Sequence, residues 1–241
     1  MIYIQIALAA LIAGALDTVA GFGGGLLLIP VLVLVVGSRD AVLLAAVIPL
    51  GWNIPRMIAM REWINWRATW LFGLGIFPGA ILGGYFLNAI DPNILRMAIG
   101  AVLVLFGAYY VVRLYVDLPP PRGLKPAMFP VAGFITGVIG SLLGAGHGPL
   151  QTGALIAASM SPREIAATNG AVGLLTAVAR IIGYGVTGEL HQGLLLWGLV
   201  GVAGAWGGCL IGLDLARRSK DSTLELVIGI VLVIAGIRML L

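Results

Sequence analysis

The sequence predicts an all-α polytopic membrane protein of two inverted repeats, each with a glycine-broken, re-entrant helical hairpin plus three transmembrane helices. Three observations carry this expectation. Of 241 residues, 60% are hydrophobic and only 10% charged, with a mean hydropathy of +1.08, whereas soluble domains carry about 25% charged residues. A glycine knot, Gly21-Phe22-Gly23-Gly24-Gly25, breaks an apolar stretch, and a related knot, Gly144-Ala145-Gly146-His147-Gly148, lies 123 positions later. Finally, Lys and Arg divide most unevenly between two faces when each knot turns the chain back.

The elements follow in order. Apolar segments run over 2–20, 26–37, 41–58, 68–88 and 95–115, then 127–143, 149–160, 164–184, 192–212 and 223–241. Between the sets lies a polar connector with Pro119-Pro120-Pro121. The division is therefore 1–116 as first transmembrane repeat, 117–126 as cytoplasmic Pro-rich connector, and 127–241 as second repeat. A bilayer crossing takes about 20 residues, so 26–37 and 149–160 are short, and both follow a knot. Glycine costs a helix about 1 kcal/mol relative to alanine, so each knot breaks its helix. Broken backbone is tolerated in hydrocarbon only where protein covers it or it lines a watery cavity. Two breaks at matching places in two halves mark a transporter's binding site.

The halves are related by more than the knots. Gly14, Gly21, Gly23, Gly25 and Ser38 recur as Gly137, Gly144, Gly146, Gly148 and Ser161. Leu95–Gly107 and Leu224–Gly236 share seven of 13 positions in register. Basic residues prefer the cytoplasmic side. If each knot returns the chain to its starting face, the 14 basic residues divide 10 against 4; a continuous crossing gives 8 against 6. The uneven division favours inverted halves, with both termini outside the cytoplasm and the connector inside. The apolar N-terminus has no basic leader and is read as the first membrane segment.

These features resemble the TauE/SafE, or sulfite exporter, family of membrane transporters. Its repeated signature is G-x-G-G-G, an apolar run, proline and a small-residue helix, and Gly21 to Pro30 fits it closely. The second copy departs: His147 occupies the central glycine slot, Pro149 follows at once, and Gly153 replaces the proline. The resemblance spans nearly the whole chain. It implies transport of small sulfur-containing or organic anions such as sulfite, sulfoacetate or other sulfonates, and the departures bear on the particular substrate.

A helix beginning in mid-membrane presents free N–H groups and about half a positive charge to what lies before it. Helices starting after Gly25 and after Gly148 would make an anion site without any base. Candidate substrate-binding residues are therefore Gly21, Gly23, Gly24, Gly25, Gly144, Gly146, His147 and Gly148. Glycine can instead serve close helix packing, the reading preferred for Gly79/Gly83 and Gly204/Gly208. His147 can donate to an oxyanion or carry a proton, or bond a neighbouring carbonyl. Gln151 and Thr152 can reach sulfonate oxygens or cap the turn. Asn53 and Asn169 bind ligand or join helices, and Arg180 suits a sulfonate or snorkels to an interface. For Arg56 snorkelling is preferred. Asp17, a carboxylate in a membrane segment, is a functional hypothesis by default: it exchanges protons or pairs with an Arg, or caps a helix end.

The remaining signals are structural. Trp52, Trp63, Trp66, Trp70, Trp197 and Trp206 fit an interfacial belt. The lone Cys209 excludes an intramolecular disulfide and reads as a small buried residue. The pI near 9.6 reflects membrane orientation, with no nucleic-acid partner expected. No nucleotide loop, haem motif or paired Cys–His metal pattern occurs, so neither cofactor nor metal is expected, and His191 is far from His147 in sequence. The expectation is a multi-pass protein of the cell's inner membrane, not an enzyme, carrying a small anion by alternating access between the hairpins. Rival readings are an anion channel with the hairpins as its filter and an intramembrane enzyme. The latter would need a catalytic set beyond Asp17 and His147. Compact carriers are commonly homodimers.

Overall fold

The computed structural model describes residues 1–20, 24–116, 123–188, 192–216 and 221–240. These form α1 (Ile2–Ala20), α2 (Gly24–Val36), α3 (Ser38–Val47), α4 (Leu50–Ala59), α5 (Trp66–Ala89) and α6 (Pro92–Tyr115). Then come α7 (Phe129–Leu143), α8 (His147–Ala157), α9 (Pro162–Val186), α10 (Gln192–Ala216) and α11 (Asp221–Leu240). Among the described residues there is no strand, and seven helical stretches are long and apolar enough to cross a membrane. Helix α2 is shorter.

Local chemistry explains most starts and breaks. Ser161 and Glu164 close a capping box ahead of α9, with Pro162 at the first position, which satisfies two orphan N–H groups reciprocally. The side chains of Asn65 and Asp91 accept from the N–H groups of Ala68 and Asn93 at the starts of α5 and α6. Segment 41–58, expected as one helix, is two. Pro49 has no N–H to give the Ala45 carbonyl, and its ring strains the preceding turn. Ile48 and Pro49 nevertheless keep right-handed dihedrals, so α3 and α4 together count as one span, Ser38–Ala59.

Two helices begin earlier than expected, inside the knots and not after them. Helix α2 starts at Gly24, where a side chain caps its N–H. Helix α8 starts at His147, because Gly144 and Gly146 take positive φ values of 68° and 84°. That left-handed region is open to glycine at little cost, and the pair turns the chain between α7 and α8.

Three seams hold the bundle together, and all are glycine seams. On α5, Cβ atoms added at Gly75, Gly79 and Gly83 would collide with the backbone of α7 at Pro130, Phe134 and Val138. On α10, Gly204, Gly208 and Gly212 stand likewise against α1 at Ala7, Leu11 and Ala15. The two glycine triplets are 129 positions apart and the two partner triplets 123, so one seam repeats the other. In both, the paired helices run parallel. The third seam joins α6 to α11: Gly100 faces Gly236 and Gly107 faces Gly229, an antiparallel register. Gly79, Gly83, Gly204 and Gly208 thus serve close packing, the main source of helix association where lipid removes the hydrophobic drive.

The middle of the bundle belongs to α3–α4 and α9. Of their spanning windows 72% and 56% is buried, against 28–50% for the other spans. The outer helices expose Leu8, Leu74, Leu105 and Leu199, which is appropriate to a lipid-facing surface. Trp63, Trp66 and Trp70 are also exposed. Trp52 is a correction to the interfacial reading, since it is 3% exposed and belongs to the interior. Cys209 is fully buried.

Candidate functional site

The two knots meet. A Cβ on Gly25 would lie 3.9 Å from the Gly144 carbonyl oxygen, and one on Gly144 would press on Ile29 of α2. Beside the junction lies a cavity of about 40 Å³. A water needs about 10–15 Å³ on the same measure, so there is room for a few waters or one small oxyanion. The start of α2 (Gly25, Leu26) and the start of α8 (Gly146, His147, Gly148) line it, with Asp17 from α1. Asn53 and Arg56 from α4, Gln151 from α8 and Asn169 from α9 complete its polar surface.

Asp17 and Arg56 form an ion pair at its edge, with Arg56 Nη2 donating to Asp17 Oδ2 at 2.5 Å. The other carboxylate oxygen, Oδ1, accepts the Gly24 N–H at 2.8 Å, capping α2. Arg56 is 3% exposed and Asp17 7%. A buried charge is tolerable only when paired, so Arg56 does not snorkel to an interface, contrary to the sequence expectation. Its burial is prepared by α9. A Cβ on Gly170 would sit 3.1 Å from Arg56 Cδ, and one on Gly173 would sit 2.9 Å from the Asn53 amide. Asn53 and Arg56 are three residues apart on one face of α4, and Gly170 and Gly173 three apart on one face of α9. The glycine pair forms the recess that the polar pair fills.

Arg180 takes a different place. Its guanidinium donates to the carbonyls of Ala45 at 2.8 Å and Val42 at 2.9 Å. The Ala45 carbonyl is the one that Pro49 leaves without a helical donor. One turn along α9, Tyr184 donates to the Ser141 carbonyl at 2.6 Å. Ser141 lies in the last turn of α7, where carbonyls lose their intrahelical partners. Arg180 and Tyr184 therefore join the two interrupted helices, and Arg180 is not among the cavity-lining residues.

The second knot supplies the opposite wall. His147 is the first residue of α8, whose start has no side-chain cap. Pro149 at the third position brings no N–H, so the free donors there are the N–H groups of the first residues. His147 Nδ1 is buried with no hydrogen-bond partner among the described residues, and its ring lies against Gly140. Gln151 Nε2 donates to Thr176 at 2.7 Å and Asn169 Nδ2 to Thr152 at 3.0 Å, which ties α8 to α9. Thr152 does not line the cavity, and neither does Gly144.

The structure thus gathers Asp17, Asn53, Gly25, Gly146, His147, Gly148, Gln151 and Asn169 around one cavity and sets Gly24 just behind it. Gly21, Gly23 and His191 lie outside the described residues, as do Arg122, Arg217, Arg218 and Lys220, four of the ten basic residues expected on the cytoplasmic side. Arg56 and Trp52 line the cavity without having been expected there. One signal did point to Arg56: a carboxylate inside the membrane requires a cation, and Arg56 shares its segment with Asn53.

The profile of the family described as Sulfite exporter TauE/SafE matches residues 6–239. Curated relatives are similar along the chain. "Probable membrane transporter protein YunE" of Bacillus subtilis (strain 168) is 20% identical over 100% of this chain and 98% of its own length. "Probable membrane transporter protein YjnA" of the same organism is 26% identical over 98% of this chain and 99% of its own. "Probable membrane transporter protein MJ0441" of Methanocaldococcus jannaschii is 28% identical over 72% of this chain and 68% of its own. No solved structure matches significantly.

Proposed function

The chain belongs to the sulfite exporter TauE/SafE family of membrane transporters, and from that premise we propose that it is a secondary carrier of small sulfur-containing or organic anions. The substrate class is sulfite, sulfoacetate and other small sulfonates. One observation carries the reading: the starts of α2 and α8 open on a single small cavity beside Arg56 and Asn53. Free N–H groups, the helix dipoles and a guanidinium edge suit an oxyanion. The cavity takes a sulfur oxyanion headgroup, so affinity falls as the organic tail grows toward aryl sulfonates.

Alternating access follows from inverted repeats rocking about that site. Support comes from the seams. When each knot returns the chain to its starting face, α1 and α10 run the same way, α5 and α7 run the same way, and α6 opposes α11. The observed glycine registers have those three directions. One crossing per knot would make α6 and α11 parallel. Both termini then lie outside the cytoplasm, with connector 117–126 inside and the protein in the cell's inner membrane.

The test is thermal stabilisation of purified protein across sulfite, sulfoacetate, aryl sulfonates, sulfate and simple carboxylates. A ligand of the native state raises the melting temperature as the logarithm of its concentration over Kd. A rise confined to small sulfur oxyanions, together with their uptake into proteoliposomes, is expected. If no anion shifts the melting temperature and none is taken up, the anion reading falls.

A further inference from the structure

Asp17 already occupies donors that an anionic ligand would take. Its carboxylate receives the Gly24 N–H at the start of α2 and Arg56 Nη2 together, a helix N-terminus plus a guanidinium, and it does so on the wall of the cavity. Asn53, three residues before Arg56 on the same face of α4, is 5% exposed and lines the same cavity, with no side-chain hydrogen bond among the described residues. Asn53 offers an amide to whatever enters. Resting on the carrier reading above, we infer that Asp17 is a built-in competitor of the substrate and that its protonation couples anion binding to the uptake of one proton.

The physical reason is charge balance in a buried space. Arg56 is one positive charge, and Asp17 neutralises it in the structure described here. A monoanion entering beside the ionised pair would leave the site with a net negative charge away from water, which is costly. If the carboxylate first binds a proton, it becomes a neutral acid and weakens its hold on the Gly24 N–H and on Arg56. The incoming anion then takes both, and the site is again neutral. Each anion bound thus carries one proton with it, and anion release returns the proton as Asp17 pairs with Arg56 again.

Few other charged groups stand on the elements around Asp17. Arg56 on α4 is its partner, and α2 carries no titratable side chain. His147 on α8 lines the cavity, Arg180 on α9 is held on carbonyls, and Asp214 near the end of α10 is not a lining residue. His147 is therefore the competing candidate, and the test separates it.

Methanesulfonate is the probe, because its charge does not change between about pH 5 and pH 8. Its affinity is measured by titration calorimetry on the full-length protein in nanodiscs across that range. For the unaltered protein, affinity rises toward low pH by up to about tenfold per pH unit, the limit for one linked proton. Asp17→Asn keeps an acceptor for the Gly24 N–H without the charge, so it binds the anion tightly and with no pH slope. His147→Gln keeps the slope. A slope that persists in Asp17→Asn, or vanishes in His147→Gln, overturns the inference while leaving the carrier reading intact. Should Asp17→Asn fail to fold, proteoliposomes of the unaltered protein decide: an inward methanesulfonate gradient acidifies the lumen, and anion uptake without proton movement overturns the coupling. Absence of binding at every pH removes the carrier reading itself.

Discussion

The two knots are the same device with its polar side chain on opposite strokes. In the first half, Asp17 precedes the knot and Gly24 starts the following helix; 123 positions on, Gly140 takes the place of Asp17 and His147 the place of Gly24. Each half has one polar group facing one glycine. A Cβ on Gly24 would run into Asp17 Cβ and, at 2.7 Å, the Ala13 carbonyl, and a Cβ on Gly140 would come within 3.2 Å of the His147 ring. Two ionisable side chains would crowd either break, and none would leave it without polar function. The exchange makes the site asymmetric: a capped, ion-paired helix start faces an uncapped one that carries an imidazole. Two positions thus divide the labour between the two knots.

The largest expected effect comes from breaking the first knot's ion pair. Arg56→Ala strands the Asp17 carboxylate, a loss of about 3–5 kcal/mol for a buried pair; a sharp fall in the detergent melting temperature checks it. A melting temperature within a few degrees of the parent would mean that the pair does not hold the site together. Next, Tyr184→Phe removes the donor to the Ser141 carbonyl, an orphaned buried acceptor costing about 1–3 kcal/mol. Because that bond serves the second break, faster backbone hydrogen exchange is expected around residues 141–147 and little change around 17–26.

Gly24→Ala and Gly140→Ala sharpen the comparison further. At Gly24 the added methyl meets backbone and a fixed carboxylate, so overpacking costs about 1–3 kcal/mol. At Gly140 it meets an imidazole that can rotate, and the loss is smaller; equal melting shifts would contradict the asymmetry. The smallest effect on stability belongs to His147→Ala, whose ring makes no hydrogen bond through Nδ1 among the described residues. Its melting temperature should stay near the parent while the stabilisation by sulfite disappears. Undiminished stabilisation would remove His147 from the site.

Much of the membrane architecture was legible because hydrocarbon allows few solutions. Apolar run length and glycine periodicity each report a constraint that acts along the chain. Asp17 and His147 were conspicuous for the same reason, since ionisable groups are rare in such segments. Arg56 was not, because a chain-local view cannot tell an Arg near a helix end that reaches water from one that meets a carboxylate 39 residues away in sequence. Arg180 was misleading in the opposite sense: it fits an oxyanion chemically, but the carbonyl that Pro49 frees lies within its reach and claims it.

By itself the sequence determined that this chain is helical and membrane-embedded, and it singled out the two glycine knots. Those properties follow from local backbone cost and from the solvent the segments require. Only the tertiary structure decided which charge answers Asp17, which glycines admit Asn53 and Arg56, and which carbonyls hold Arg180 and Tyr184. Such choices depend on partners far apart in sequence, and what selects them is the cost of leaving a buried charge or carbonyl unpaired, a quantity that exists only after the helices have packed.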